Sequence, residues 1–468
     1  MNVVGIIAEY NPFHEGHAYQ IQKAKEQCGA EFAVVVMNGD FVQRGEPAIF
    51  DKYTRTKEAL LGGADLIFEL PVRFGLSSAG DFAMGGVLAL NALPFVTHLC
   101  FGTETGDLTP LLQAATFLCD EPDSYRTRVK HFVKQGILYP KARSLALAAE
   151  SGLPTETWDS PNNILGLEYC VALQKLHSKI KPFTIRREGQ GYHDNDTPAL
   201  SDFPSATFLR KKIRKAGEKE NLSLSDFSSL IGYSLALAAE SGLPTETWDS
   251  PNNILGLEYC VALQKLHSKI KPFTIRREGQ GYHDNDTPAL SDFPSATFLR
   301  KKIRKAGEKE NLSLSDFSSL IGYSLLTAKD LCRIKDITPD LSDRIRNELP
   351  KYREINEFVK TIKNPSLTTG RIKRSFFQCL FDIEKEEPVM PYLRVLGMKK
   401  EASSLLSQKE NASCQILTKL AFDVPKMDDT AKKLFAKDLL ASDLYRQVFC
   451  HKYNQTLPNE YQHSPIVL

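Results

Sequence analysis

The chain has 468 residues, long enough for two or three domains with a substantial core. Lysine and arginine number 59 against 57 acidic residues, so a nucleic-acid partner would have to be held by local basic patches and not by a global positive field. The nine cysteines form no CxxC pair or zinc-type cluster, and no apolar run reaches the length of a membrane span. These features favour a cytoplasmic protein with reduced thiols, no structural metal and no membrane association.

The first predicted strand leads into a phosphate-binding turn. The apolar run Val3–Ala8 is typical of a buried parallel strand, and the sequence NPFHEGH follows it at residues 11–17. If a helix begins near Gly16, His14 and His17 lie at its N-terminus, where anions bind. Imidazoles there can donate hydrogen bonds to the charge that grows when the bond between α- and β-phosphate breaks. The pattern indicates nucleotidyl transfer, and a pair of surface histidines without a ligand is the alternative.

The next 90 residues alternate strand and helix patterns. Strands are predicted at residues 32–37, Leu66–Leu70 and 99–102, with helical periodicity between them. Such alternation predicts an α/β fold with a Rossmann-like parallel sheet and helices on both faces, and such sheets bind ligands at the carboxyl ends of their strands. Gly102 lies at one such end, where a small residue permits close approach of an adenine or a ribose.

A duplicated segment changes the size of the protein. Residues 144–235 recur without a single change as residues 234–325, an offset of 90. Repeat proteins conserve core positions while their surfaces drift, so this identity indicates a recent tandem duplication. We predict a nucleotide-binding domain over residues 1–235, a surplus second copy over residues 236–325, and a mostly helical C-terminal region over residues 326–468.

Each copy carries a helix, a strand and a second phosphate-binding candidate. In the first copy the helix is predicted at residues 164–178 and the strand at residues 183–187, before a glycine-containing loop. A short helix then opens at Ser205, with Arg210 one turn later. Serine or threonine at a helix start caps backbone amides or contacts a phosphate, and an arginine one turn on adds a fork of donors. A plain N-cap with a solvated basic face is the alternative.

One basic run stands out in the C-terminal region. Arg371, Lys373 and Arg374 precede Phe376 and Phe377. An amphipathic helix with snorkelling cations is the commoner interpretation of such a run. Contact with RNA is the other, because cations attract phosphates and aromatic rings stack on unpaired bases.

Seven motifs follow one another along the chain: EYNPFHEGH (residues 9–17), MNGDFVQRGEPA (37–48), FGTE (101–104), SPNNILGLEY (160–169), GYHD (191–194), SATFLR (205–210) and YLRVLG (392–397). In this order they resemble the bacterial tRNA(Met) cytidine acetate ligase family. The resemblance covers nearly the whole chain apart from the surplus copy. It implies a nucleotidylyltransferase fold, whose superfamily is marked by the histidine pair and by a serine or threonine motif that ends in arginine.

The resemblance also implies a two-step reaction and its site. Acetate attacks ATP to give acetyl-adenylate, and the acetyl group passes to the wobble cytidine of elongator tRNA(Met), with Mg²⁺ as the counter-ion of ATP. The catalytic residues would be His14, His17 and Arg210 or its twin Arg300. The ATP contacts would be Ile7, Ala8, Glu9, Tyr10, Asn11, Pro12, Phe13, His14, Glu15, Gly16, His17, Ala18, Tyr19, Gln20, Gly102, Asn162 and Arg187, with Asn163 and Arg186 as neighbours that an alignment could equally select. If the basic run binds RNA, its contacts are Arg371, Lys373 and Arg374.

The duplication leaves two candidates for half of this site. Asn162 and Arg187 compete with Asn252 and Arg277, and the sheet has one slot for their strand. We expect the first copy to fill the slot, because it emerges from the ribosome next to the N-terminal strands. The displaced copy could dock into another chain and give a domain-swapped dimer.

Without the resemblance, the motifs also fit two other functions. One is an adenylyl- or cytidylyltransferase that acts on a small phosphorylated acceptor. The other is a non-catalytic RNA-binding protein that uses the nucleotide fold as a scaffold.

Overall fold

The computed structural model describes residues 1–104, 106–186, 312–364 and 367–468. The predictions for Arg187, Arg210, Asn252, Arg277 and Arg300, and for the second copy up to residue 311, lie outside these residues.

The described residues form ten strands, which we label in chain order. They are β1 (Val3–Ala8), β2 (Phe32–Asn38), β3 (Phe41–Val42), β4 (Glu46–Pro47), β5 (Leu66–Leu70), β6 (His98–Thr103), β7 (Lys181–Arg186), β8 (Tyr392–Met398), β9 (Gln415–Leu417) and β10 (Ile466–Val467). The first, second, fifth and sixth strands lie within one or two residues of the positions that the apolar runs predict. The predicted strand at residues 183–187 is β7, which begins two residues earlier.

The helices fall into an N-terminal and a C-terminal set. The first set is α1 (Glu15–Cys28), α2 (Lys52–Leu61), α3 (Val72–Gly75), α4 (Ala79–Asn91), α5 (Thr109–Asp120), α6 (Asp123–Lys134), α7 (Tyr139–Ser151), α8 (Glu156–Asp159) and α9 (Pro161–Lys175). The second set is α10 (Ser318–Thr327), α11 (Pro339–Glu348), α12 (Ile355–Ile362), α13 (Thr369–Leu380), α14 (Ser403–Leu406), α15 (Leu420–Asp423) and α16 (Asp429–Tyr453). The helix predicted at residues 164–178 is α9, which starts earlier because Pro161 occupies its first turn.

The main sheet confirms the predicted α/β class. Five parallel strands lie in the order β5-β2-β1-β6-β7, so the first copy of the repeat supplies the strand beside β6. Beyond β5 the sheet continues with β8, which runs antiparallel to β5 and carries both β9 and β10 on its outer side. The C-terminal region is therefore not helical throughout. A short buried run such as YLRVLGM has no periodicity that separates a strand from a buried helix.

Alternate residues of the central strands serve two cores. Val3, Val34 and Leu99 face a core that includes residues of α4, α5 and α9. Val4 and Val35 face the opposite side, where residues of α1 and α2 pack. Two-sided burial explains why these strands read as continuous apolar runs. This packing of helices on both faces also leaves the carboxyl ends of β1 and β6 open at the edge of the sheet, between the two layers of helices.

The C-terminal helices pack on the hairpin that β3 and β4 form. Phe41 of β3 lies among the rings of Phe317, Phe377 and Phe381, at centroid distances of 4.8 to 5.4 Å. The amide of Gln378 donates to the Leu76 carbonyl at 2.6 Å. The hairpin therefore belongs to the core of the C-terminal helices as well as to the nucleotide-binding fold.

A buried charge network joins β5, α2, β8 and the C-terminal segment. Lys52 Nζ lies 2.8 Å from Glu69 and 2.9 Å from Glu460, and Arg394 contacts both carboxylates. The Tyr53 hydroxyl donates to Glu460 at 3.0 Å. Burial raises the pKa of Glu460, but the charges of Lys52 and Arg394 outweigh burial and lower the pKa to about 2. The cluster is stable only as a set, because each buried charge relies on the others.

Glu460→Gln should destabilise the fold. Removing one partner of a buried ion pair costs on the order of 3 kcal/mol, so we expect the free energy of unfolding at pH 7 to fall by about that amount. A lowered carboxyl pKa stabilises the folded state fully above the unfolded value of 4.5, and this contribution is lost as the pH falls towards 2.

Urea unfolding of the wild type and the variant between pH 7 and pH 2 checks this. The gap between the two proteins should close at the acid end. Glu410→Gln, at an exposed position, serves as the matched control. A gap that stays constant down to pH 2 would mean that the ionised form of Glu460 is not what stabilises the fold.

Candidate active site

The histidine pair lies at the first turn of α1. His14 is the N-cap residue, with extended backbone angles (φ −152°, ψ 169°), and its carbonyl accepts the His17 amide at 2.8 Å. The His14 amide in turn donates to Nδ1 of His17 at 3.3 Å. Because Nδ1 accepts, the proton of the neutral His17 ring sits on Nε2, which is therefore a donor. The two imidazoles stack with their centroids 3.6 Å apart.

Aromatic packing holds this turn against the sheet. Tyr10 is buried and lies 4.7 Å from the ring of His17 and 4.9 Å from that of Phe13. Burial raises the pKa of Tyr10 far above its ordinary value, so the phenol stays neutral. Phe13 packs on Gly62 at the end of α2, where a Cβ atom would come within 2.3 Å of the Phe13 ring. The histidines are therefore positioned by a packed turn and not by a loose loop.

A second helix start lies at the end of β6. Glu104 follows β6 and accepts hydrogen bonds from Asn162 at 2.7 Å and from Ser160 at 3.2 Å, both at the start of α9. The Glu104 amide donates to Asn163 Oδ1 at 3.1 Å. These bonds orient the N-terminus of α9 towards the carboxyl end of β6. The role of Glu104 as an anchor was not predicted from the sequence, although the FGTE motif contains it.

The structure brings most of the predicted ATP contacts to one edge of the sheet. Residues 7–20 run from the end of β1 through the first turns of α1, and Gly102 pairs with Ile185 in the adjacent strand. Arg186 ends β7 with an exposed side chain. Gly106, just after β6, has φ +75°, and a Cβ atom there would lie 2.9 Å from Cβ of Arg186. Glycine thus lets the loop after β6 pass close to the end of β7.

The predicted RNA contacts lie elsewhere, on α13. Lys373 forms an ion pair with Glu46 at 2.7 Å, and Arg374 forms one with Asp336 at 2.9 Å. Nε of Arg371 donates to the Asp336 carbonyl at 3.1 Å. The three cations therefore face other parts of the protein and not a fully solvated helix surface, because α13 packs against the β3–β4 hairpin.

Among the residues that the structure describes, none of the helices is both long enough and apolar enough to span a membrane. The same residues contain no group of three His, Cys, Asp or Glu side chains that could hold a metal ion.

Comparisons with known proteins agree with this geometry. The HIGH Nucleotidyl Transferase family model matches the chain twice, over residues 1–229 and 228–460. The tRNA(Met) cytidine acetate ligase of Thermoanaerobacter sp. strain X514 is 32% identical over 454 residues, which cover 95% of each chain.

Solved structures show the same fold. TmcAL of Thermotoga maritima in its apo form is 25% identical, with a TM-score of 0.74 and full coverage of both chains. The same protein bound with alpha-thio ATP is 24% identical, with a TM-score of 0.72 and full coverage of both chains. The histidine turn, the fold and the full-length similarity lead to one conclusion: the chain belongs to the tRNA(Met) cytidine acetate ligase family of HIGH nucleotidyl transferases.

Proposed function

We propose that this chain activates acetate with ATP and acetylates a cytidine of tRNA(Met). The observation that carries the proposal is the convergence of two helix N-termini, those of α1 and α9, at the carboxyl ends of β1 and β6. Helix N-termini favour anions, and the stacked histidines lie at one of them. The names of the curated relatives supply the acceptor and the acid, and the alpha-thio ATP bound to the Thermotoga maritima protein supports the nucleotide.

The first step joins acetate to AMP. A carboxylate oxygen of acetate attacks the α-phosphorus of ATP, and the bond to the β-phosphate breaks to release pyrophosphate. Nε2–H of His17 can donate to the negative charge that develops on the leaving group, and His14 provides a second imidazole beside it. Acetate is a weak nucleophile, so alignment with the α-phosphorus supplies much of the catalysis. No nucleophilic side chain is required.

The second step transfers the acetyl group. The exocyclic amine of cytidine attacks the acetyl carbon, AMP leaves, and the amine loses one proton. The product is N4-acetylcytidine, and we assign the acceptor to the wobble position of elongator tRNA(Met). Mg²⁺ would enter as the counter-ion of the ATP phosphates. The reaction belongs in the cytoplasm, where tRNA and ATP meet.

His17→Ala should abolish activation of acetate. The variant removes a donor to the developing pyrophosphate charge, so acetate-dependent exchange between ATP and pyrophosphate should fall by about 100-fold or more. Binding of tRNA, measured by filter retention, should stay within about twofold of the wild type, because the proposed partner of His17 is ATP and not the tRNA. The exposed His131 gives the matched control, His131→Ala, which should leave exchange unaltered. Exchange at the wild-type rate in His17→Ala would remove His17 from the mechanism.

The same assay separates the rival functions. Exchange that requires acetate supports the ligase. Exchange that instead requires nicotinamide mononucleotide or another phosphorylated acceptor would support a small-molecule nucleotidylyltransferase. RNA binding without exchange under any condition would support a non-catalytic RNA-binding protein.

Arg187→Ala and Arg277→Ala should differ in effect. The strand of the first copy, β7, pairs with β6, and Arg187 is the next residue after that strand. Loss of a charged donor to ATP should lower exchange by about 10-fold or more in Arg187→Ala, whereas the identical substitution in the second copy should change it little. The reverse pattern would assign the site to the second copy. Equal losses in both variants would indicate that the two copies exchange places or pair across a dimer.

A further inference from the structure

A cavity lies beside the candidate active site. Its volume is about 590 Å³, within the range of small-molecule sites, and its walls come from the β3–β4 hairpin, α4, α7, α9 and the start of α13. The cavity therefore lies where the nucleotide-binding fold meets the C-terminal helices. The assigned nucleotide contacts do not account for it.

Two sets of hydrogen bonds join the cavity wall to the nucleotide side. The backbone N–H of Gln43, in the β3–β4 hairpin, donates to the carboxylate of Glu9 at 2.7 Å. Asn163, which bonds to the loop after β6, also donates to the Thr157 carbonyl at 3.0 Å and so positions the neighbouring Trp158. Gln43 and Trp158 both line the cavity. A molecule in the cavity would consequently be close to whatever is bound at the ends of β1 and β6.

The cavity wall contains hydrogen-bond donors with no acceptor. Trp158 is 2% exposed, and its Nε1 has no hydrogen-bond partner among the described residues. Nε2 of Gln43 is likewise buried and without a partner in that part of the chain. A buried donor without a partner costs on the order of 1–3 kcal/mol, so these groups favour a ligand that brings acceptor atoms. Ile164, Leu147 and Leu167 add apolar surface suited to a flat ring.

The charge of the walls suits a nucleotide. Four arginines line the cavity, Arg44, Arg143, Arg371 and Arg374, against two carboxylates, Glu168 and Asp336. Arg143 pairs with Glu168 at 2.6 Å and Arg374 with Asp336 at 2.9 Å, and Arg44 and Arg371 line the same cavity. Two helices, α4 and α13, also begin at the cavity, and helix N-termini stabilise anions.

We propose that this cavity holds the target pyrimidine nucleoside of a single-stranded RNA segment, with its ring against the apolar wall and its flanking phosphates near Arg44 and Arg371. The proposal rests on the proposed function. Cytosine presents O2 and N3 as acceptors beside an amine, and a glutamine amide can both donate to such acceptors and accept from such an amine. Enzymes that modify a base take it out of its stack into a pocket of this kind. The hydrogen bonds to Glu9 and Asn163 connect that pocket to the adenylate.

Gln43→Met and Arg44→Ala test the cavity without touching a predicted ATP contact. Gln43→Met keeps the length of the side chain and removes its donors, and Arg44 is exposed, so its loss should not affect folding. The measurements are acetyl transfer from labelled acetate to tRNA(Met) and acetate-dependent ATP/pyrophosphate exchange. We expect each variant to raise the KM for tRNA about 10-fold relative to its effect on exchange, since one hydrogen bond or phosphate contact is lost. Gln113→Met and Arg126→Ala, at exposed positions, are the matched controls.

A substitution in the repeat gives an internal control. Trp158→Phe keeps an aromatic ring and removes the N–H, and Trp248→Phe makes the same change in the other copy. We expect the KM for tRNA to rise in Trp158→Phe only.

Three other outcomes would each overturn the cavity proposal or the proposed function. Wild-type KM for tRNA in Gln43→Met, Arg44→Ala and Trp158→Phe overturns the cavity proposal while leaving the proposed function intact. A raised KM for acetate, with that for tRNA unaltered, would assign the cavity to the acid and also overturn it. An absence of acetate-dependent exchange in the wild-type chain would instead remove the proposed function, and the cavity proposal with it.

Discussion

The guanidinium of Arg55 is fully buried at the carboxyl ends of β1 and β2, where it donates to the carbonyls of Glu9, Asn38, Gly39 and Phe50. A buried cation is tolerated only when its donors are satisfied, so these four carbonyls must converge whenever α2 is in place. Glu9 begins the turn that leads to the histidines, and Gly39 leads into the β3–β4 hairpin, which lines the proposed nucleoside cavity. Arg55 therefore positions both the histidine turn and the start of the hairpin.

The strands buried on both faces could be predicted from the sequence, whereas those formed by distant pairing could not. Val3–Ala8 and Leu66–Leu70 are apolar over nearly their whole length, and this pattern, in runs of five or six residues separated by helical periodicity, is typical of strands covered by helices on both sides. Tyr392–Met398 is just as buried, but its identity as a strand depends on antiparallel pairing with β5, more than 300 residues away in the chain. The local pattern of apolar residues does not indicate which distant strand will pair with it.

The residues of the candidate site differ in the same way: local signals predict some of them, whereas others depend on distant contacts. The histidine pair could be placed at a helix start because proline, glycine and a preceding strand are all local signals. Glu104 could not be recognised as the anchor of α9, since its bonds to Asn162 and Ser160 span more than 50 residues. From the sequence, the basic run on α13 is interpreted as an amphipathic helix with snorkelling cations or as an RNA contact. In three dimensions Gly45 approaches its backbone so closely that a Cβ atom would lie 2.4 Å from the Arg374 nitrogen, and carboxylates meet two of the cations.

The position of β7 explains why the duplication is compatible with the sheet. Within the described residues β7 is the last strand on its side, paired only with β6, so chain that follows Arg186 need not pass between paired strands. Closure entropy grows with the logarithm of length, and ninety additional residues before the capping box at Ser313 cost on the order of 1–2 kcal/mol. A second copy of β1 would be different, because β1 is paired on both sides and an identical rival would compete for the centre of the sheet. The duplicated segment includes α9 and an edge strand but leaves the histidine turn single, so the two copies compete for the second half of the site alone.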